Sequence, residues 1–344
     1  MELEQEEGRG LSRRRVLGLL GLTAVGLAVG QAATGASSPA MASARAGASA
    51  PLDLAGGSAS AAAWGGAVRY QRGRALLGSY LSLHGRTLTQ SLALRRRQLG
   101  RDQRIVHVYY PWSDYYPTAH RDVPADAVLM ISWKGTRLSK INSGASDHHI
   151  AKMARLMAGM KRPILLRWGW EMNGNWFSWD GVHNGRKPSA FIKAWRRMHR
   201  IFRQHGATNV AWVWAPNWNS GPDVSWNRFQ HYYPGDAYVD WVGVSGYNFS
   251  RQSPKTLFNP IVKAYGKRKP IILAETAAVG HGPNSKAKWI KKLSKYVSAT
   301  PSIGAVVWFD TDTQRGTRHN FRPDTDAGAL AAYRAMVRKP RFSG

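Results

Sequence analysis

The 344-residue chain contains no cysteine, so neither a disulfide nor a thiolate metal site is open to it. Core packing alone must hold it together, and a chain of this length with 43% apolar residues can supply that. No stretch reaches the ~20 consecutive apolar residues of a membrane span. Negative charge is scarce: 20 Asp plus Glu stand against 49 Lys plus Arg, a net charge of +29. Glutamate is scarcest, with six residues at positions 2, 4, 6, 7, 171 and 275.

The first four of these glutamates lie in a segment that reads as removable. Ser12-Arg13-Arg14-Arg15-Val16-Leu17 is followed by an apolar run at 16–30 and by Ala-x-Ala sites around 42–48. That order matches a secretory leader, and the paired arginines resemble a twin-arginine export signal. Residues 1–48 are therefore expected to be a signal peptide and the protein to be secreted; an anchoring helix is the alternative. The leader holds five arginines and four glutamates, so its loss leaves +28. Residues 49–70, rich in Ala, Ser and Gly, are expected to form a flexible linker, and 71–340 a single catalytic domain. The surplus of positive charge favours an anionic cell surface or polymer by long-range attraction. It identifies no site, and runs such as Arg95-Arg96-Arg97 read as solvated helix faces. No specific nucleic acid is expected, and a monomer is.

Both remaining glutamates end apolar strands. Residues 162–179, RPILLRWGWEMNGNWFSW, open on a buried run and reach Glu171 among Trp168, Trp170, Trp176 and Phe177. Alternation places Leu165, Arg167, Gly169 and Glu171 on one side if no bulge intervenes. Residues 269–277, KPIILAETA, repeat the pattern, with Ile271, Leu273 and Glu275 on one face.

Strand-like runs recur at 76–81, 105–110, 127–133, 164–168, 210–214, 239–244, 271–274 and 303–308. Amphipathic helices lie between many of them: Ile150, Met153, Met157 and Met160 mark one face, and Phe191, Trp195, Met198 and Phe202 another. The second is expected to start at a Ser189 cap after Pro188 and to stop before Gly206. Ile290, Leu293 and Val297 mark a third, and Leu330, Tyr333 and Val337 a last. Eight alternating units predict an α/β fold, a closed (β/α)8 TIM barrel; an open doubly wound sheet is the alternative, although no Gly-rich phosphate loop follows the first strand. Connections into strands are short and those leaving them long and aromatic, for example 172–187 and 217–236. Active sites of this fold are built on those long loops, and both glutamates point there.

Paired carboxylic acids across a barrel mouth, ringed by Trp and Tyr, fit glycoside hydrolysis, in which one acid protonates the leaving oxygen and the other attacks the anomeric carbon. The residues that carry this chemistry also carry a resemblance. Arg167-Trp168-Gly169-Trp170-Glu171-Met172-Asn173-Gly174-Asn175-Trp176-Phe177 resembles the acid/base motif of glycoside hydrolase family 26, which includes many bacterial β-mannanases. Leu273-Ala274-Glu275-Thr276 resembles its nucleophile strand, and the stretch at 239–248, VDWVGVSGYN, its sixth strand. The likeness runs from about residue 74 to 338. It implies Glu171 as general acid/base, Glu275 as nucleophile, Tyr247 as a hydrogen-bond partner near the nucleophile, and Trp176 and Trp308 as platforms for sugar rings. It also implies retention of configuration, with ~5–5.5 Å between the two carboxyl groups.

Two positions depart from the pattern of the best-studied mannanases. Trp170 stands where they carry His, and an indole accepts no hydrogen bond; Ser245 stands where they tend to carry Asp. Both lie close to the bound sugar, and Trp170 is itself a candidate contact. The resemblance therefore implies hydrolysis of a polysaccharide, most like an endo-β-1,4-mannanase. A β-1,3-xylanase, a mixed-linkage β-glucanase or a hydrolase of an envelope exopolysaccharide stays open, as does a non-catalytic carbohydrate-binding protein on the same barrel. Trp133 and Asn217, at strand ends, are further candidate substrate contacts. The loop acids Asp114, Asp180, Asp310 and Asp312 are the alternatives to the two glutamates. His84, His107 and His231 are isolated and His148-His149 has no acidic partner at ligand spacing, so no metal and no cofactor is expected.

Overall fold

Eight strands close into a parallel barrel in sequence order: β1 (Leu76–Ser82), β2 (Ile105–Tyr110), β3 (Val128–Trp133), β4 (Ile164–Trp168), β5 (Val210–Trp214), β6 (Trp241–Asn248), β7 (Ile271–Ala278) and β8 (Ile303–Thr311), with β8 returning to pair with β1. The computed structural model describes residues 65–116, 120–312 and 319–342. The expected leader and residues 49–64 of the expected linker lie outside the described residues, as do 117–119 and 313–318 of two long loops. The end of the linker is part of the domain. The Trp241 indole donates to the Gly65 and Val68 carbonyls at 3.0 and 3.1 Å, and the Tyr70 hydroxyl donates to the Pro301 carbonyl at 2.7 Å.

Among the described residues seven α-helices accompany the strands: α1 (Leu88–Leu99), α2 (Leu138–Asn142), α3 (Asp147–Gly159), α4 (Pro188–Gln204), α5 (Pro254–Tyr265), α6 (Ser285–Ser298) and α7 (Ala327–Val337). The helical layer has two gaps. No α-helix occurs among the described residues between β2 and β3, and only short 3-10 turns (Ser225–Asn227, Phe229–Tyr232, Asp236–Tyr238) join β5 to β6. The apolar stripes seen in the sequence face the barrel: Ile150, Met153 and Met157 on α3 and Phe191, Trp195, Met198 and Phe202 on α4 are buried. Helix α4 begins two residues earlier than a Ser189 cap predicts. Pro188 takes the first helical position, where its missing N–H is no loss, and Lys187 precedes it without a side-chain cap.

Strand alternation sorts the tryptophans. On β3, Ser132 faces inward and Trp133 outward; on β4, Arg167 faces inward while Trp168 stacks outward on Phe191 of α4, ring centroids 5.4 Å apart. Trp212 likewise meets Trp195 and Phe202 of α4, and Trp214 meets Tyr265 of α5. Much of the aromatic content thus glues helices to the barrel, and polar groups are left to line the inside of its C-terminal end.

Candidate active site

Glu275 reaches the barrel interior by an irregularity. Val244 of β6 opposes Leu273 of β7, but the next residue, Ser245, opposes Glu275, which leaves Ala274 as one extra residue. Such a bulge shifts the alternation by one. Glu275 therefore does not share the face of Ile271 and Leu273, as uninterrupted alternation predicts; it faces inward beside Ser245.

Donors from three strands converge on its carboxylate. Arg167 of β4 makes an ion pair with Oε1, Tyr109 of β2 donates to the same oxygen at 2.5 Å, and the Tyr247 hydroxyl of β6 donates to Oε2. Arg167 is held in turn by the hydroxyls of Ser132 (3.1 Å) and Ser245 (2.6 Å). Burial by itself raises the pKa of Glu275; the Arg167 guanidinium, His107 and the two tyrosine hydroxyls override it and bring the pKa down to about 2. His107 is driven down to about 3 by its own burial and then by Arg167, so at neutral pH it carries no charge and Arg167 is the cation facing the carboxylate. The Ser132 hydroxyl lies 2.6 Å from His107 Nε2.

Glu171 is placed differently. Strand β4 stops at Trp168, and both Gly169 (φ 54) and Glu171 (φ 57) adopt left-handed backbone conformations. The glutamate sits in a tight turn beyond the strand, not on a continuation of its face. Its N–H donates to the Ala215 carbonyl after β5 at 2.8 Å, and its carbonyl accepts from Gly174 at 2.8 Å. A left-handed conformation is unfavourable for a residue with a side chain, and here it is fixed from both sides by these bonds. The carboxylate accepts one hydrogen bond from the Trp176 indole, Nε1 to Oε2, at 3.0 Å. Glu171 and Glu275 are only 1% and 3% exposed, and both act electrostatically on the single guanidinium of Arg167.

The remaining candidates divide sharply. Tyr247 touches Glu275 and the half-buried Trp176 touches Glu171, whereas three tryptophans are sealed away. Trp308 faces out of the barrel against Trp289 and Tyr333, its indole bonded to the Phe321 carbonyl at 2.8 Å. Trp133 stacks on Trp112 at 4.6 Å on the helix side. Trp170 is enclosed by Tyr109, Phe177 and Trp179, with the Arg167 guanidinium 5.2 Å from its ring centre. None of the three is solvent accessible, so none can stack on a sugar in this conformation. Trp170 instead backs the arginine that pairs with Glu275. Asn217, also buried, is a stitch between loops: its N–H donates to Asn173 Oδ1 at 2.8 Å, Asn173 returns a bond to its carbonyl at 3.0 Å, and its side chain donates to Asn219.

Tyr109 and Arg167 were not singled out from sequence as functional. Arg167 did leave a signal, as a charged residue inside an otherwise apolar strand; Tyr109 left none beyond its place near the end of β2. The alternative acids are engaged elsewhere. Asp310 pairs with the buried Arg95, Asp312 accepts from the His84 N–H and pairs with Arg322, and Asp180 accepts backbone N–H groups within its own loop. Asp114 accepts only from its neighbour Ser113 among the described contacts.

The family model described as glycosyl hydrolase family 26 matches residues 116–319. Endoglucanase H of Acetivibrio thermocellus is 33% identical over 257 residues, covering 69% of this chain and 28% of that protein. Mannan endo-1,4-beta-mannosidase A and B of Caldalkalibacillus mannanilyticus is 29% identical over 165 residues, covering 46% of this chain and 29% of that protein. A beta-1,3-xylanase of a Vibrio species is 28% identical over 126 residues, covering 36% and 25%. The matched region thus spans less than a third of the length of each of these relatives. Among solved structures, a GH26 beta-mannanase of Bacteroides ovatus matches with a TM-score of 0.58 at 18% identity, covering 79% of this chain and 90% of that one. A GH26 protein of Muricauda matches at 0.59 and 15%, covering 78% and 86%. At those identities the structural likeness establishes the fold.

Proposed function

The chain belongs to glycosyl hydrolase family 26, and from that premise we propose that it is a retaining glycoside hydrolase that cuts the backbone of a β-linked polysaccharide. The observation that carries the reading is the unequal pair of carboxyl groups acting on one buried arginine. Glu275 is held ionised by Arg167, Tyr109 and Tyr247, as a nucleophile must be. In the first step its carboxylate forms a bond to the anomeric carbon while the glycosidic bond breaks and Glu171 gives its proton to the departing oxygen. In the second, Glu171 as carboxylate takes a proton from water, the water oxygen bonds to the anomeric carbon, and Glu275 is released. Arg167 and the two tyrosines offset the charge on Glu275 before attack and make it a competent leaving group afterwards. Half-buried Trp176 is the stacking surface closest to the acid.

β-1,4-Mannan is the first substrate to test, in line with the mannanases among the relatives. A β-glucan is the second, favoured by the relative named an endoglucanase, whose match covers 69% of this chain, and by Trp170 and Ser245 at the two positions that depart from the mannanase pattern. The proposal includes export through the leader at 1–48, and attraction of the +28 mature protein to anionic surfaces.

Reducing-sugar release from mannan, mixed-linkage glucan and β-1,3-xylan, with Glu171→Ala and Glu275→Ala as controls, tests the activity. Proton NMR of the first-formed anomer tests retention. If wild type and both variants release equally little while all three bind glycan, the molecule is a carbohydrate-binding protein on a hydrolase scaffold.

A further inference from the structure

Asp180 is a buried acid that the mechanism above does not use. It lies nine residues beyond Glu171, at the end of the loop that carries Trp176, and is not solvent accessible. Its Oδ2 accepts the backbone N–H groups of Trp176 and Phe177, each at 2.8 Å, so one oxygen fixes the two consecutive peptides from which the Trp176 side chain springs. The backbone of Asp180 is itself anchored. Its N–H donates to the Phe177 carbonyl at 3.0 Å, its carbonyl accepts from Asn184 Nδ2 at 2.8 Å, and Gly181 beside it packs so closely against the Tyr232 hydroxyl that an added Cβ would sit 1.9 Å from that oxygen. From this rigid base the chain of contacts runs through Asp180 to the Trp176 backbone, then from the Trp176 indole to Glu171 Oε2 at 3.0 Å.

We propose that Asp180 is a positioning residue for the acid/base: it sets the place of Trp176, whose indole N–H in turn aims the Glu171 carboxyl at the glycosidic oxygen. The proposal rests on the hydrolase reading for its kinetic consequence, though the geometric link does not. The role asks only for an acceptor oxygen, and the surroundings disfavour a charge on it. Burial pushes the carboxyl upward, the Phe177 and Trp176 amides pull it back, and the charge of Glu171 raises it further. Its second oxygen, Oδ1, is buried with no hydrogen-bond partner, so no donor there stabilises a carboxylate. The grip on the two amides comes from Oδ2 alone.

This predicts a rescue pattern. Asn is the uncharged isostere, so Asp180→Asn should keep both amide contacts and leave activity within about threefold of wild type. Asp180→Ala removes the grip, and misplacement of an acid by about an ångström lowers rate roughly 10- to 100-fold. That loss should fall on kcat for the polysaccharide, with KM within about threefold. It should nearly vanish in kcat/KM for a dinitrophenyl glycoside, whose leaving group needs no proton. Trp176→Phe should reproduce the same split, and the double variant should lose little more than either single one. The 15N-indole resonance of Trp176, assigned through Trp176→Phe, should move in Asp180→Ala and stay in Asp180→Asn. Equal losses on both substrate types, Asp180→Asn as impaired as Asp180→Ala, or an unmoved indole resonance in Asp180→Ala would each overturn the proposal. If the wild type cleaves neither substrate, the hydrolase reading fails, and the indole resonance by itself decides whether Asp180 places Trp176. Should Asp180→Ala not fold, Trp176→Phe and Asp180→Asn still decide it, since only the first should show the leaving-group split.

Discussion

Glu275 and Glu171 are the same side chain in the same barrel mouth, held in opposite ways. Glu275 lies within a strand and is gripped by groups from β2, β4 and β6, one of them a buried cation. Glu171 lies in a left-handed turn beyond its strand and accepts from an indole on its own loop. The first arrangement holds the carboxylate ionised through donors on three strands; the second sets the direction of a carboxyl through its own loop. A nucleophile that must be ionised before attack and again on release is best served by donors on strands that meet its charge. The buried cation is the largest of the influences that pull the Glu275 pKa down against its burial.

Removing either acid should have the largest effect. Glu275→Ala is expected to lower kcat on polysaccharide by about 10⁴-fold or more, as loss of a covalent nucleophile does. Glu171→Ala should lose comparably on polysaccharide and far less on a dinitrophenyl glycoside; parallel losses on both substrates would erase the distinction between the two acids.

Next comes Arg167→Met, which leaves Glu275 buried without its cation. Breaking a buried pair from one side costs about 3–5 kcal/mol, to be read from urea unfolding. The sign with pH follows from the direction of the shift. The folded pKa of Glu275, about 2, lies below its ordinary 4.5, so its ionised form stabilises the fold fully above that ordinary value and loses this contribution as pH falls through about 2. Arg167→Met should raise the folded pKa, moving the acid limb of kcat/KM to higher pH and the acid unfolding midpoint with it. A variant with wild-type limbs would show that the ion pair does not set the state of Glu275.

Smaller again are Tyr109→Phe and Tyr247→Phe, each deleting one hydrogen bond to a charged group, worth about 1.5–3 kcal/mol. A loss of roughly tenfold in kcat with the acid limb moved upward is expected from either. Replacing His107 by Gln should also move that limb upward, since the imidazole gains its charge as pH falls through about 3 and then favours the Glu275 carboxylate.

The smallest effect on catalysis should come from another buried pair. Arg95 of α1 binds Asp310 of β8 at 2.5 Å and Asp324 at 2.8 Å, with Arg95 and Asp310 each 1% exposed, so it matches the Arg167–Glu275 pair in burial and differs in address. Arg95→Leu should cost about 3–5 kcal/mol of stability while kcat of the folded protein changes less than about twofold. A large kinetic effect would mean that the β8 loop, not only the strands, holds the site.

The fold was legible because each of its signals is local. Apolar runs of strand length alternating with amphipathic stripes at 150–160 and 191–202 come from short-range periodicity, and the two gaps in the helical layer do not disturb strand order. The two glutamates were legible because they end apolar runs in a chain with almost no others. Their surroundings were not. Tryptophan is apolar enough for either side of a strand, so sequence could not tell Trp133 and Trp308, which glue helices to the barrel, from Trp176, which faces the acid. Arg167 and Tyr109 acquire their role from a residue 108 and 166 positions away, a contact that no local pattern encodes.

By itself the sequence determined the alternating order of elements and set apart two glutamates at the ends of apolar runs, since both follow from local pattern and from scarcity. Only the tertiary structure decided which way each side chain points. The extra residue Ala274 turns Glu275 inward and a left-handed turn aims Glu171, and both depend on pairing with β6 and on the Ala215 carbonyl rather than on their own neighbours in the chain. One residue of slip reverses every face of a strand, and that slip is fixed by the partner strand.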